Sequence, residues 1–299
     1  MHRSENYIIY RMSASEKAAD IARAFLQDED KAWIIEEANP RARFRAGESI
    51  VIPLKYKNNA GLAADGYQTI PILTYHRFAR NCESPLCVPA SVFDGQMKYL
   101  SGEGYQVIGP EDLFSFMANR QGLPKKSVMI TMDDGYRSAY EIAYPILRKY
   151  GFTATLFVYT DFVGVSKMAV TWDQLREMKA AGFTIGSHTI YHSDLTTPKE
   201  GESEADFKTR VYQEVVDSKK ILDRKLKQNT YFLAYPFGRY DQQVISISKQ
   251  AGYKLAVSVN RGGNPFFTNP FAIKRDQILK RDISSFINRL NTFTPLSLR

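Results

Sequence analysis

Two short stretches hold most of the residues whose types could do chemistry together. In ITMDDGY, Ile130 to Tyr136, an apolar, strand-like run ends on two adjacent carboxylates, Asp133 and Asp134. An Asp-Gly step is a common reversal signal, so a plain turn accounts for the stretch taken alone. The alternative is a strand that presents two carboxylates at its carboxyl end, one to hold a metal and one to move a proton. In GSHTIYH, His188 and His192 stand four apart after another apolar run, a spacing at which two imidazoles can reach one ion. The chain has only four histidines, and two of them share this loop. A histidine pair and a carboxylate pair at strand ends on one face make an Asp-His-His metal site the better reading. Three protein ligands leave a position for water or substrate, as catalytic sites do.

These groups need a scaffold that brings strand ends together. From Thr69 onward the apolar runs IPILTYH, YQVIG, SVMITMD, TATLFVY, FTIGSH, TYFLAYP, KLAVSV and FAIKRDQI alternate with helical stretches such as SAYEIAYPILRKYG and TWDQLREMKAAG. Repeated strand-helix units with short connections imply a parallel sheet, and this many imply closure. The fold class expected is therefore α/β: a distorted (β/α) barrel of seven or eight parallel strands, with an open doubly wound sheet as runner-up. In both, chemistry collects at the carboxyl ends of the strands. Ahead of the barrel, NYIIYRM, SASEKAADIARAFL, DKAWIIEEAN and ESIVIPL read as strand, helix, helix, strand, with Ser13 and Glu16 spaced as a capping box. The expected division is a module over residues 1–56, a Gly/Asn/Ala-rich linker over 57–68 and the barrel over 69–299.

With 299 residues, 44% of them hydrophobic, the chain can bury a large core, and disorder is excluded. The net charge of +8 favours anionic surfaces or polymers, but no Lys/Arg tract marks a nucleic-acid partner. No run of 18 apolar residues marks a transmembrane helix. The amino terminus lacks the apolar core of a signal peptide, so either the protein is cytosolic or this chain starts after a removed targeting segment. Cys82 and Cys87, in NCESPLC, read equally well as a small disulfide of an oxidising compartment and as two free thiols.

TMDDG and SHTIYH resemble the first two motifs of the polysaccharide deacetylase family, also called NodB-homology domains or carbohydrate esterase family 4. The resemblance runs from Ile70 to about Ile278. It implies that Asp133 is the catalytic base and that Asp134, His188 and His192 bind one divalent metal ion, zinc first, with iron, cobalt or nickel also suited to the donor set. LAYPFG resembles the third motif, which makes the N–H of Phe237 the candidate oxyanion donor. The family often carries an arginine where Ala234 stands; Arg275, in AIKR, is the candidate replacement. No histidine follows His192 to serve as the family's late acid. An exopolysaccharide-deacetylase branch of the family is similar to a circular permutation in which an early Tyr-His supplies it, so His76, ending PILTYH, is expected to be the general acid. Trp172, Tyr235 and Phe237 are candidates for a wall on which a sugar ring stacks.

The first module resembles LysM, a small carbohydrate-binding domain, which implies contact with chains of N-acetylglucosamine. Together the resemblances imply a secreted, periplasmic or cell-envelope hydrolase, a targeting segment being absent from this chain. It would remove N-acetyl groups from a polymer containing N-acetylglucosamine, peptidoglycan first and exopolysaccharide second. A glycan-binding envelope protein without turnover, and a small-amide or imide hydrolase, are the alternatives.

Overall fold

A computed structural model describes residues 1–55, 58–279 and 281–296. The chain divides into two units, Met1–Asn59 and Ala60–Arg299. The boundary expected between residues 56 and 57 lies outside the described residues.

The first unit contains β1 (His2–Arg3), β2 (Tyr7–Arg11), α1 (Ala18–Leu26), α2 (Ala32–Ala38) and β3 (Ser49–Pro53). β2 and β3 pair antiparallel from Tyr7 with Pro53 to Arg11 with Ser49. Alternation decides the register: Ile8, Ile50 and Ile52 turn inward onto Ile21, Ala22 and Ile35, while Ile9 and Val51 face out. α1 starts later than the capping-box spacing suggests. Its N-cap is Lys17, without a side-chain cap, because the Glu16 carboxylate that would close the box accepts the Tyr10 hydroxyl at 2.9 Å.

The second unit opens with β4 (Leu62–Ala63) and β5 (Gly66–Gln68), inside the segment expected to be a linker. β5 pairs antiparallel with β16 (Phe293–Pro295), so the final described strand clasps the first strands of the unit. A side chain at position 66 is impossible, since a Cβ there would lie 2.3 Å from the Thr294 carbonyl oxygen. The linker reading fails because local composition carries no trace of a partner more than 200 residues away.

Next come β6 (Ile72–Tyr75), β7 (Arg77–Ala79), β8 (Cys87–Pro89), α3 (Ala90–Gly102), β9 (Gln106–Val107) and α4 (Pro110–Met117). β10 (Ser127–Met132), α5 (Tyr144–Lys149), β11 (Thr155–Val158), α6 (Trp172–Ala180) and β12 (Thr184–Ser187) follow. α7 (Glu204–Leu226), β13 (Phe232–Ala234), α8 (Gln242–Gln250), β14 (Leu255–Val257), β15 (Asp276–Gln277) and α9 (Ile283–Ile287) complete the unit before β16. Seven strands form one sheet in the order β14-β13-β12-β11-β10-β6-β15, all parallel. The run YQVIG yields only β9, which pairs with the first residues of β10 and stands off the main path. The sheet curls until its two ends meet through one segment: Ile273 bridges Val257 of β14, and Asp276 pairs with Leu73 of β6.

The parallel strands are buried on both faces, as their near-continuous apolar runs require. Along β10, Val128, Ile130 and Met132 pack under the helices, while Met129 joins Ile72, Phe157, Phe232 and Leu255 inside the curl. A disulfide joins Cys82, in the loop after β7, to Cys87, the first residue of β8.

Candidate active site

β10 delivers the aspartates. The Asp133 N–H still donates to Tyr75 O at 2.9 Å, continuing the ladder, and the chain then breaks away through Asp134 at φ 76° and Gly135 at φ 81°. This left-handed turn sends the adjacent carboxylates in different directions. Asp133 is 2% exposed and Arg275 is fully buried. They form a two-pronged ion pair, Nη1 to Oδ1 at 2.8 Å and Nη2 to Oδ2 at 2.7 Å. The guanidinium also donates to Ser258 O at 2.8 Å and Thr131 Oγ1 at 3.1 Å, and lies over the Phe157 ring. Burial pushes the Asp133 carboxyl up, but the adjacent Arg275 charge and its hydrogen bonds outweigh burial and hold it at about 2. Asp134 faces the opposite balance: burial and the charge of Asp133 push it up to about 7.

β12 delivers the histidines. The His188 N–H donates to Val158 O at 2.8 Å, and its Nδ1 lies 2.8 Å from the Ala234 carbonyl oxygen. That carbonyl can only accept, so Nδ1 carries the proton and Nε2 is left with its lone pair. Nε2 of His188 and Nε2 of His192 lie 3.6 Å and 3.7 Å from the same Asp134 Oδ1. Tetrahedral ligands about 2.0–2.2 Å from an ion stand roughly 3.3–3.6 Å apart, so the two histidine–aspartate distances lie close to those of neighbouring ligands in one coordination shell. Ligand atoms of Asp134, His188 and His192 all lie within 4.8 Å of one another. Burial holds His188 down at about 3 and lowers His192, so both rings are neutral donors near pH 7. The donor set suits zinc and several other divalent ions.

The loop between the histidines is itself strained, with Thr189 at φ 70° and His192 at φ 56°. Its N–H groups at Ile190 and Tyr191 donate to one oxygen of Glu214, a buried carboxylate on α7. Glu214 has no part in either sequence motif. It could have been noticed as the one charge in the apolar stripe Val211, Val215, Ser218, Leu222.

His76 sits at the end of β6 on the same rim, half-buried. Burial lowers its pKa, and the charges of Asp133, Arg275 and His192 act on it, which marks its place beside them. Phe237 stands at φ 58° in the turn Pro236–Gly238, 56% exposed, with its ring centroid 4.7 Å from that of His192. Two expected sugar-stacking residues fall elsewhere. Tyr235 is fully buried, its hydroxyl donating to Phe271 O at 3.0 Å and its ring stacked on Tyr240, so no sugar can reach it. Trp172 packs against the helix-layer core with Lys225 over its ring. Aromatic residues missed in the sequence line the rim instead: Tyr159 lies 5.7 Å from His192, and Phe162 connects it to Tyr136, over which Arg77 is placed. Each follows a strand end, in FVYTDF and DDGYR.

A family model described as polysaccharide deacetylase matches residues 120–256. The match holds both aspartates and both metal-directed histidines but stops short of His76 on one side and Arg275 on the other. The protein YxkH of Bacillus subtilis, whose name assigns it to the polysaccharide deacetylases, is 32% identical over 247 residues, covering 81% of each chain. The poly-β-1,6-N-acetyl-D-glucosamine N-deacetylase of Staphylococcus aureus strain MRSA252 is 26% identical over 250 residues, covering 80% of this chain and 86% of that one. The solved structure of the Streptococcus pyogenes deacetylase PplD in complex with acetate superimposes with a TM-score of 0.67 at 31% identity, covering 76% of this chain and 99% of the other. A curled parallel sheet with these motifs at its rim is the fold of enzymes that deacetylate polysaccharides. This chain belongs to the polysaccharide deacetylase family.

Proposed function

We propose that the protein is a metal-dependent N-deacetylase acting on a polymer of N-acetylglucosamine. The observation that carries the reading is the Arg275–Asp133 ion pair set directly beside the Asp134, His188 and His192 cluster. A divalent ion held by those three residues would polarise the acetamide carbonyl and acidify a water molecule. Asp133, kept ionised by Arg275, takes a proton from that water as its oxygen adds to the carbonyl carbon. The N–H of Phe237 donates to the oxygen that gains charge. His76, neutral in the resting site because burial lowers its pKa, takes up the proton that Asp133 removed from water and gives it to the amine nitrogen as the C–N bond breaks, so acetate leaves and a free amine stays on the sugar. Arg275 reaches Asp133 from the segment that leads into β15 rather than from β13, where the family's usual arginine would stand, and His76 follows the first strand of the sheet, β6, rather than the last. Curling brings those strands side by side, which makes both replacements sterically reasonable.

Poly-β-1,6-linked N-acetylglucosamine is the first substrate of this reading, supported by the Staphylococcus aureus relative; peptidoglycan is second. Zinc is the first metal, on the donor set alone. The β-α-α-β unit supports a LysM-like glycan-binding role that would hold the barrel, from about residue 69, near its polymer. Such a substrate lies in the cell envelope or outside the cell, where the Cys82–Cys87 disulfide is stable. No described helix is long and apolar enough to cross a membrane.

The test is acetate release from N-acetylglucosamine oligomers, the β-1,6-linked polymer and peptidoglycan, with chelated protein and after adding back zinc, cobalt, nickel or iron. Metal-restored release supports the reading and ranks the substrates. Folded, metal-loaded protein that frees no acetate from any of them would sink it in favour of a binding protein, or of a small-amide hydrolase if such amides are cleaved.

A further inference from the structure

Glu214 is 2% exposed, on the face of α7 that packs against the sheet. Its Oε2 accepts the N–H of Ile190 at 2.7 Å and of Tyr191 at 3.0 Å, and its Oε1 accepts the hydroxyl of Ser193. These three donors surround His192 in sequence. The His192 N–H is taken locally, by Thr189 Oγ1 at 3.2 Å. Two left-handed residues, Thr189 and His192, bracket the N–H groups of Ile190 and Tyr191 and turn both toward one point. Consecutive N–H groups arranged in this way form a cradle for an anion. Here the anion is supplied by the protein itself. One helical turn earlier, Arg210 donates to Asp194 O at 2.9 Å and fixes the chain where it leaves the loop.

We propose that Glu214 is a positioning residue for metal binding: its buried carboxylate holds the His188–His192 loop in the ligating shape before any ion arrives. The inference rests on the ligand roles proposed for His188 and His192. A loop with strained dihedrals and buried donors adopts another shape once its acceptor is gone. The lost organisation is then drawn from the metal's binding energy, while the substrate wall is left in place. Support of this kind around metal ligands alters affinity by about 10- to 100-fold.

The experiment is zinc affinity at fixed pH, measured by competition with a chromophoric chelator, for the full chain and the variants Glu214→Leu, Glu214→Gln, His188→Ala and His192→Ala. Glu214→Leu is expected to lose about 10- to 100-fold in affinity. Glu214→Gln keeps an oxygen for both N–H groups and should recover most of that loss. KM for the oligomer at saturating metal should stay at the wild-type value in both. A purely structural glutamate would lower the melting temperature of the leucine variant and leave the zinc affinity of the folded protein untouched; that result overturns the proposal. If Glu214→Leu does not fold, Glu214→Asp withdraws the carboxylate by one methylene and decides the question by the same reading. Wild-type affinity in the histidine variants would overturn the metal reading itself, a failure distinct from unchanged affinity in the Glu214 variants alone.

Discussion

The two strand ends that build the site are held in opposite ways. At β10 a side chain is gripped: both oxygens of Asp133 are bound by Arg275, a cation from the segment ahead of β15. At β12 the backbone is gripped: Glu214, from the next helix, accepts the N–H groups of Ile190 and Tyr191. The difference follows from what each end must present. A carboxylate that is to remain ionised in a buried place needs an opposite charge on its own atoms. Imidazoles that are to bind an ion must be neutral with Nε2 free, so their support comes from behind, at the loop backbone and at Nδ1 of His188. One end is set electrostatically and the other conformationally.

The sharpest way to break this division is Asp133→Asn. It removes the proposed proton acceptor at the charge-held end, so turnover should fall about 10²- to 10⁴-fold. Zinc affinity should stay within a few-fold of wild type, because Asp134, His188 and His192 are all kept; loss of metal together with turnover would show the two ends to be one unit.

Next in size is Arg275→Met, which strands a buried carboxylate and should cost about 3–5 kcal/mol in urea unfolding at pH 7. Adding Asp133→Asn should restore part of that stability. The acid dependence carries the sign. Asp133 is held at about 2, below the unfolded value of about 3.9, so its contribution is complete above pH 4 and disappears as pH falls towards 2. The stability gap between wild type and Arg275→Met should therefore narrow over that interval.

A smaller effect sharpens the contrast from the other side. With Asp134 at about 7 in the metal-free protein, an ion must displace its proton at lower pH. Affinity should weaken by close to tenfold per pH unit well below 7 and level off above it, as read by calorimetry in two buffers that differ in ionisation heat. His188, held at about 3, adds nothing to the slope near neutrality. The smallest expected effect is Phe237→Ala, which removes the ring packed on His192 and keeps the backbone N–H. An aromatic contact of about 0.5–1.5 kcal/mol corresponds to a roughly two- to tenfold rise in KM for oligomers, with kcat little changed.

The sequence was legible where chemistry is written in short range. Adjacent aspartates at the end of an apolar run, and histidines four apart in one loop, mark the residues that the fold brings together. The strand-helix alternation likewise carries the curled parallel sheet, since each period reports its own local geometry. What was hidden depends on partners far along the chain. β5 looked like a linker because β16 is not its neighbour in sequence. Tyr235 looked like a sugar platform because the motif shows that an aromatic is present, while the direction of its ring is set by Phe271 and Tyr240. Glu214 was hidden because helical polarity is read as an average, and one buried charge among valines leaves the average unchanged.

The separation between Asp133 and Arg275 also has a meaning in time. The two residues are 142 positions apart. At about 5–20 residues per second, a ribosome delivers the arginine roughly 7–30 s after the aspartate. Throughout that interval Asp133 cannot be buried as an anion with its partner, and the sheet cannot close through the segment that carries Arg275. The segment that closes the sheet and neutralises Asp133 is thus among the last parts of the barrel to be made, so the buried ion pair forms late in synthesis.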